Sequence, residues 1–336
     1  MRPRSADGAP SRALTRDYTA AQISLQLKVA RRFYVEDVSK VEIGKEFGIS
    51  RFQVARLLQA ARESGLVRIS IDDHGAVRED LARRLVDALD LRSAQVLGSA
   101  RTATPPDVIR ADLGELAAQE LSRALHADDV LGLPWSRSVS AMVAALTTLP
   151  PVDVVQLSGA RWAPEDSTAT ADVVRDVAAI GGGRAYRFHA PFVATGTTAA
   201  ESLRLDPAYL AAQQKMAAIT VAVVGIGAFD PTLSTLHAAA TAVEIAELRA
   251  GGAVGEISGV FIDAAGRAVD GSFPCRLITV SAAQLKAIPN VIGVCMGKER
   301  AEATAAACRG GFVNSLVVDV PLAHELLRDD YRASRG

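Results

Sequence analysis

The sequence predicts an α/β protein in two parts: a small winged helix-turn-helix unit, then a larger domain built on a mainly parallel sheet. Three observations carry that reading. Between residues 40 and 64 a short helical pattern, a glycine and a serine-capped helix follow one another. Beyond residue 92, apolar strand-like runs alternate with alanine-rich helical segments, as in a parallel sheet covered on both faces. Charge is also divided unevenly. Residues 1–71 hold 13 Lys and Arg against 7 Asp and Glu, a net of +6, whereas the remaining 265 residues hold 24 against 31, a net of −7. A basic small unit joined to an acidic large one suits a polyanion contact made by the first unit alone.

Residues 1–18 read as a flexible arm, rich in Arg, Pro and Ser and without the apolar core of a secretory signal. From Gln22, the residues Ile23, Leu27, Ala30, Phe33 and Tyr34 recur at helical spacing. A second helix fits Lys40–Phe47, with Val41, Ile43, Gly44 and Phe47 inward, and Gly48 breaks it. Ser50 then caps a third helix that runs to about Ser64, with Val54, Leu57, Leu58 and Ala61 inward and Gly65 closing it. Leu66–Ile71 alternates as a half-buried strand, the wing. The expected organisation is a winged helix-turn-helix domain over 19–72, a linking amphipathic helix within 73–92, and a larger α/β domain over 93–334. In that domain strands are expected at Ala94–Leu97, Val130–Leu133, Val152–Leu157, Ala185–His189, Ile219–Ile226, Leu277–Val280, Val291–Val294 and Ser315–Val318. Helices are expected at Asp107–Leu125, Val139–Leu149 and Ala301–Cys308.

The second helix of a helix-turn-helix enters the major groove with its first turns, so base contacts fall near Ser50, Arg51, Phe52 and Gln53. Gln53 suits a bidentate pair with adenine and Arg51 one with guanine, while Arg56 and Arg62 reach phosphates. Ser50 caps the helix and offers its backbone N–H to a phosphate. Arg68 comes close to the duplex from the wing. The plainer reading is a helical protein-interaction module with solvated arginines. The local charge, the S-R-x-x-V-x-R-L-L run and the following G-L-V-R-I segment favour double-stranded DNA.

Other chemistries find little support. Cys275, Cys295 and Cys308 lack CxxC spacing and read as reduced, mostly buried thiols, and His189 and His237 have no metal-ligand spacing around them. No metal and no cofactor are therefore expected. The longest uncharged apolar run, Met216–Phe229, has 14 residues, too short to cross a bilayer and fit for a buried strand, so a soluble cytoplasmic protein is expected.

Along most of its length the chain resembles the SorC (sorbitol operon regulator) family of transcriptional regulators. The stretch V-A-R-R-F-Y-V-E-D-V-S-K-V-E-I-G-K-E-F-G-I-S-R-F-Q-V-A-R-L-L-Q-A-A-R-E-S-G-L-V-R-I-S-I is similar to that family's DNA-binding signature. The likeness continues through V-L-G-L-P-W-S-R-S, V-V-Q-L-S-G, V-V-G-I-G, G-A-V-G-E-I-S-G-V-F-I-D-A-A-G-R, V-I-G-V-C-M-G-K-E-R and V-V-D, and so spans about residues 20–330. The resemblance implies a large domain similar in fold to sugar-phosphate isomerases and glucosamine-6-phosphate deaminase but used for sensing. It also implies homo-oligomers, dimers or tetramers, on operators of sugar-catabolism genes, and a sugar, polyol or sugar-phosphate effector. Repression is the expected direction, because a steric roadblock needs no polymerase contact.

In an open parallel sheet, ligands bind beyond the carboxyl ends of the strands. Trp135, Ser136, Arg137 and Ser138 follow one such strand and open a helix; Trp135 suits either stacking on a sugar face or core packing. Family members read W-G-x-T here, so Ser136 and Ser138 stand for the Gly and the Thr. Gly159, then Gly225 and Gly227 with Asp230, follow two further strands and are candidates to line a ligand, tight turns being the plainer reading. Asp263 and Arg276 are candidates for hydroxyl or charge contacts, against surface-turn roles. At Met296–Arg300 the family has two glycines and then a lysine. This chain keeps Gly297 and puts Arg300 at the lysine position, which retains the charge with a different geometry. A sugar-phosphate isomerase or deaminase fused to a DNA-binding unit is the rival expectation. The G-I-G-A-F-D-P segment resembles the deaminases, but their fuller histidine-containing motif is missing and no positioned acid–base set is visible.

Overall fold

A computed structural model describes residues 20–64, 66–67, 77–98, 104–160 and 170–328. The chain divides into two compact units, residues 1–71 and 72–336. The arm over 1–18 and most of the expected wing, Arg68 and Gly65 included, lie outside the described residues.

The first unit is three helices: α1 (Ala20–Tyr34), α2 (Lys40–Phe47) and α3 (Arg51–Glu63). Both later helices open on a reciprocal capping box. Ser39 accepts from Glu42 N while Glu42 accepts from Ser39 N, and Ser50 and Gln53 repeat the arrangement. Between α2 and α3, Gly48 takes a left-handed conformation (φ 66°), the cheap way to end a helix and turn at once. Gly44 lets the turn close, because a Cβ there would lie 2.6 Å from the Ile49 carbonyl oxygen. Val29, Ala30, Ile43, Val54 and Leu58 form the core of this unit. Of the apolar stripe expected on α1, Ala30 is buried and Phe33 packs against this core, whereas Ile23, Leu27 and Tyr34 are exposed, as is Val41 of α2; Gln26 and Val29 complete the buried face. The helix carries more than one apolar stripe, and the geometry of the α2–α3 pair selects among them.

The helix α4 (Glu79–Leu89), expected as a linker, is built into the larger unit. Leu81, Ala82, Leu85 and Leu89 belong to the same core cluster as Ala94 and Val96 of the first strand and Leu322 and Leu326 near the C-terminus. The sheet comprises β1 (Ser93–Leu97), β2 (Val130–Leu133), β3 (Asp153–Gln156), β4 (Ala185–Tyr186), β5 (Val221–Ala228), β6 (Ala253–Ile257), β7 (Val260–Asp263), β8 (Asn290–Cys295) and β9 (Ser315–Asp319). Seven strands run parallel in the order β1-β9-β8-β5-β2-β3-β4. Alternate residues serve opposite faces: Ala222, Val224 and Ile226 of β5 join one core cluster, Val221 and Val223 the other. The second cluster is filled by α5 (Pro106–Ala124) and α6 (Arg137–Ala145), through Leu113, Leu121, Val139 and Met142. Burial on both sides explains why these strands read as continuous apolar runs.

Two features differ from expectation. β6 and β7 form an antiparallel hairpin off the end of β5, joined by a two-residue turn in which Ser258 (φ 53°) and Gly259 (φ 85°) are both left-handed, as the tightest hairpin loops require. Leu277–Val280 is not a strand; it makes only isolated bridges, Leu277 with Val193 and Thr279 with Ser158.

Candidate functional site

Each unit carries one candidate site. On the first, the exposed start of α3 presents Arg51 and Phe52, with Arg56 one turn later and Arg62 near its end, all exposed. Phe52 is 65% exposed, and the Arg51 guanidinium lies over its ring, 4.8 Å from the centroid. Gln53 departs from the expected role. Its amide oxygen accepts from Ser50 N at 2.8 Å, so the side chain folds back onto its own helix end and does not project both amide atoms outward. Ser50 is the N-cap, its hydroxyl accepting from Gln53 N at 3.2 Å. Arg68 is outside the described residues.

On the larger unit a cleft of about 390 Å³ opens where β2, β5 and β8 end. The chain moves outward from β2 to β3 and β4 on one side and from β5 to β8 and β9 on the other, where β1 forms the edge. The cleft therefore sits at the switch point of the sheet, where strand ends leave a crevice between diverging connections. Of the residues singled out from sequence, Trp135, Ser136, Arg137, Ser138, Gly225, Gly227, Gly297 and Arg300 line it.

Their positions follow from local structure. Ser136 caps α6, its hydroxyl accepting from Val139 N at 3.1 Å, in an extended conformation open to any residue. A Cβ on Gly225 would lie 2.9 Å from that hydroxyl oxygen, so the glycine lets β5 and the start of α6 meet. A Cβ on Gly227 would lie 2.6 Å from Glu256 Oε1, so the β6 carboxylate reaches in over the strand end. Gly297 has φ 87°, and its N–H donates to both carboxylate oxygens of Asp319 at 3.1 Å. Burial raises the Asp319 carboxyl above the ordinary aspartate range, with those N–H bonds opposing. Arg300 donates from Nη1 to the Met296 carbonyl at 2.8 Å, which aims the loop's cation along the cleft wall.

Four expected ligand contacts lie elsewhere. Gly159 is buried where a Cβ would strike the Pro191 carbonyl oxygen at 2.5 Å, a close backbone crossing. Asp230 accepts from Thr232 N at 2.7 Å and folds the turn that carries Thr232, Ser234 and Thr235 to the cleft. Asp263 pairs with Arg267, its Oδ2 accepting from Arg267 Nε at 2.8 Å, at the turn after β7. Arg276 pairs with the buried Glu244 at 2.7 Å and donates to the Ala194 carbonyl at 3.0 Å. Burial alone would raise the Glu244 carboxyl, but the Thr241 N–H and the Arg276 guanidinium outweigh it and hold it below its ordinary value. Charged residues beside strand ends thus satisfy one another, a role spacing does not separate from ligand binding.

The cleft also holds residues that sequence reasoning missed: Arg110 on α5, Glu256, Ser258, Thr232, Ser234 and Met296. Burial raises the Glu256 carboxyl above the ordinary glutamate range, partly opposed by the Gly259 N–H at 2.8 Å. Ser258 is 9% exposed, and its hydroxyl oxygen finds no hydrogen-bond partner. The G-E-I-S-G run is the stretch that holds two of them, a carboxylate on β6 and a hydroxyl in the turn that follows it. Cys295 lines the cleft with its thiol pushed up to about 11 by burial, and Cys308 is pushed up to about 12; Cys275, expected among the buried thiols, is exposed. Among the described residues, no cluster of His, Cys, Asp and Glu is arranged to hold a metal ion, and no helix is long and apolar enough to cross a membrane.

Residues 76–328 match the family model described as "Putative sugar-binding domain". The chain is 29% identical over 301 residues to the uncharacterized transcriptional regulator YjhU of Escherichia coli strain K12, covering 88% of this chain and 92% of that protein. It is also 29% identical over 314 residues to the transcriptional regulator LsrR of Klebsiella pneumoniae subsp. pneumoniae, covering 91% and 94%. The crystal structure of the full-length sorbitol operon regulator SorC from Klebsiella pneumoniae superposes with a TM-score of 0.67 at 25% identity, over 92% of this chain and all of that one.

Proposed function

The chain belongs to the SorC family of transcriptional regulators with a sugar-binding domain, and from that premise we propose how its two sites divide the work. The first unit binds double-stranded operator DNA through the start of α3, with Arg56 and Arg62 on phosphates and Arg51 at the base edges. The larger unit takes a small polyhydroxylated effector, a sugar, polyol or sugar phosphate, in the cleft at the strand ends. Effector binding alters operator affinity, in a homo-oligomer acting as a cytoplasmic repressor. DNA-binding helices commonly work in symmetric pairs on two half-sites, which supports the oligomer.

The observation that carries the effector reading is the lining of the cleft. Arg137 and Arg300 supply charge for an anionic group, and the capped N-terminus of α6 supplies directed N–H groups. Glu256 and the unpartnered Ser258 hydroxyl supply what sugar hydroxyls need, an acceptor and a group that both gives and takes a hydrogen bond. Sensing is favoured over catalysis. Among the described residues, Glu256 with its raised carboxyl shares the cleft wall with Glu299 and with no histidine or lysine, and the Cys295 thiol stays protonated near neutral pH.

Ligands that bind the folded state raise its melting temperature by mass action. A melting screen over free and phosphorylated sugars and polyols is expected to give a class of stabilisers whose effect disappears in Arg300→Ala. A screen with no stabiliser, or one whose hits shift both proteins equally, counts against the cleft as the sensing site. Turnover of a sugar phosphate by the purified chain would move the reading to the enzyme alternative.

A further inference from the structure

We propose that Arg51 and Phe52 act as a stacked pair reading a guanine next to a thymine, and that Gln53 caps the helix without reading sequence. This rests on the reading of the first unit as DNA-binding, and it goes beyond that reading by assigning the bases.

Gln53 is already committed elsewhere. To recognise adenine a glutamine must aim its amide oxygen at N6 and its amide nitrogen at N7 together. Here the oxygen is turned to Ser50 N at 2.8 Å, completing the box in which Ser50 returns a bond to Gln53 N. That box satisfies two backbone donors at the start of α3. Turning the Gln53 amide toward a base would take the acceptor away from the Ser50 N–H.

Phe52 is the opposite case. It occupies the second position of α3 and leaves 65% of its surface in water, although Val54, Leu58 and Ala61 close the same helix onto the core. Stability gives no reason for an aromatic ring there. Its surroundings identify what covers it. Arg51 lies over the ring, and Arg56, four residues on, shares its helix face. An apolar group ringed by arginines fits a partner that is anionic at its rim and apolar at one point. A duplex offers that combination, phosphates along the groove walls and the thymine methyl inside the major groove. The stacking also restrains Arg51, whose planar fork is then held to meet the O6 and N7 of an adjacent guanine with less ordering on binding.

The test uses the full chain and selects its own operator sequence. Duplexes are enriched from a random library, and each thymine of the enriched site is replaced in turn by deoxyuridine, which removes only the 5-methyl group. One thymine per half-site is expected to weaken binding by about 3–5-fold when its methyl is lost, the worth of one buried methyl group. Phe52→Ala is expected to carry that loss already and to show no further loss with deoxyuridine, and Phe52→Leu to restore part of the discrimination. Arg51→Ala is expected to lose the preference for the neighbouring guanine, and Gln53→Ala to enrich the same site as the parent chain. An enriched site at which parent and Phe52→Ala respond alike to every deoxyuridine, or from which Gln53→Ala loses an adenine, overturns the assignment while leaving DNA binding intact. A library from which nothing is enriched overturns the DNA-binding reading and the assignment with it.

Discussion

Two helices of this chain begin with the same dipeptide and do different things. Ser50-Arg51 opens α3 and Ser136-Arg137 opens α6, in each case with the serine hydroxyl accepting from the N–H three residues on. The following positions set them apart. At α3 the third helical residue is Gln53, which returns the capping bond and remains exposed; at α6 it is Val139, fully buried. One helix start is therefore cationic and open to water, as the proposed duplex contact needs. The other is anchored in the core at a strand end, where Gly225 and the β6–β7 hairpin close around it, a shape for a small molecule. On the proposed reading, the same local signal serves a duplex in one place and a small ligand in the other, according to what packs behind it.

The largest expected effect marks where that rule stops. Arg276 lies off both helix starts and holds the buried Glu244 carboxylate. Arg276→Met should destabilise the larger unit by about 3 kcal/mol, because the buried Glu244 carboxylate loses its counter-charge and keeps the Thr241 bonds alone. Urea unfolding checks this; a loss within experimental error would show that the pair is solvated. Next come the arginines of the comparison itself. Arg51→Ala should cost roughly 1–3 kcal/mol of specific duplex binding and leave ligand-induced stabilisation unchanged. Arg137→Ala and Arg300→Ala should do the reverse, and loss of duplex binding in both would assign them structural roles.

The two caps give a smaller and more symmetrical test. Ser50→Ala and Ser136→Ala should each cost about 1 kcal/mol of helix stability. The first should weaken duplex binding, and the second should weaken the ligand response. Equal effects on both readouts would break the comparison. The smallest signal is the pH dependence of Glu256. Burial raises its carboxyl in the folded chain, so the unfolded chain gives up this proton first as pH rises. Stability should therefore fall from the ordinary glutamate pKa up to the raised folded value and stay lower above it. Glu256→Gln should remove that part of the slope, as measured by urea unfolding across the acidic range.

Much of this was legible in the sequence where local chemistry decides the structure. The limits of α2 and the Ser50 cap follow from glycine, serine and helical spacing, and seven of the expected apolar runs are parallel strands, the central ones mostly apolar because both faces of the sheet are covered. Legibility ended where the decision is tertiary. Ile23 and Leu27 form a helical stripe as good as the buried one, and only the packing of α2 and α3 selects between them. Leu277–Val280 is apolar and short like a strand, but no neighbouring strand is in register beside it. Asp263 and Arg276 sit where ligand contacts belong, yet their partners, Arg267 and Glu244, are turn and helix residues whose approach spacing does not reveal. Glu256 and Ser258 reach the cleft only because an antiparallel hairpin folds back over β5, a turn that the alternation of strand and helix gave no reason to expect.

On the proposed reading, the cleft controls the helix start. The most direct test is the Kd for a selected duplex, titrated with and without a ligand taken from the melting screen, in the parent chain and in Arg300→Ala. Ligand is expected to change the Kd of the parent chain and to leave that of Arg300→Ala, which binds the duplex normally, unmoved. A parent chain that binds ligand in the cleft and holds the duplex with an unchanged Kd would contradict it.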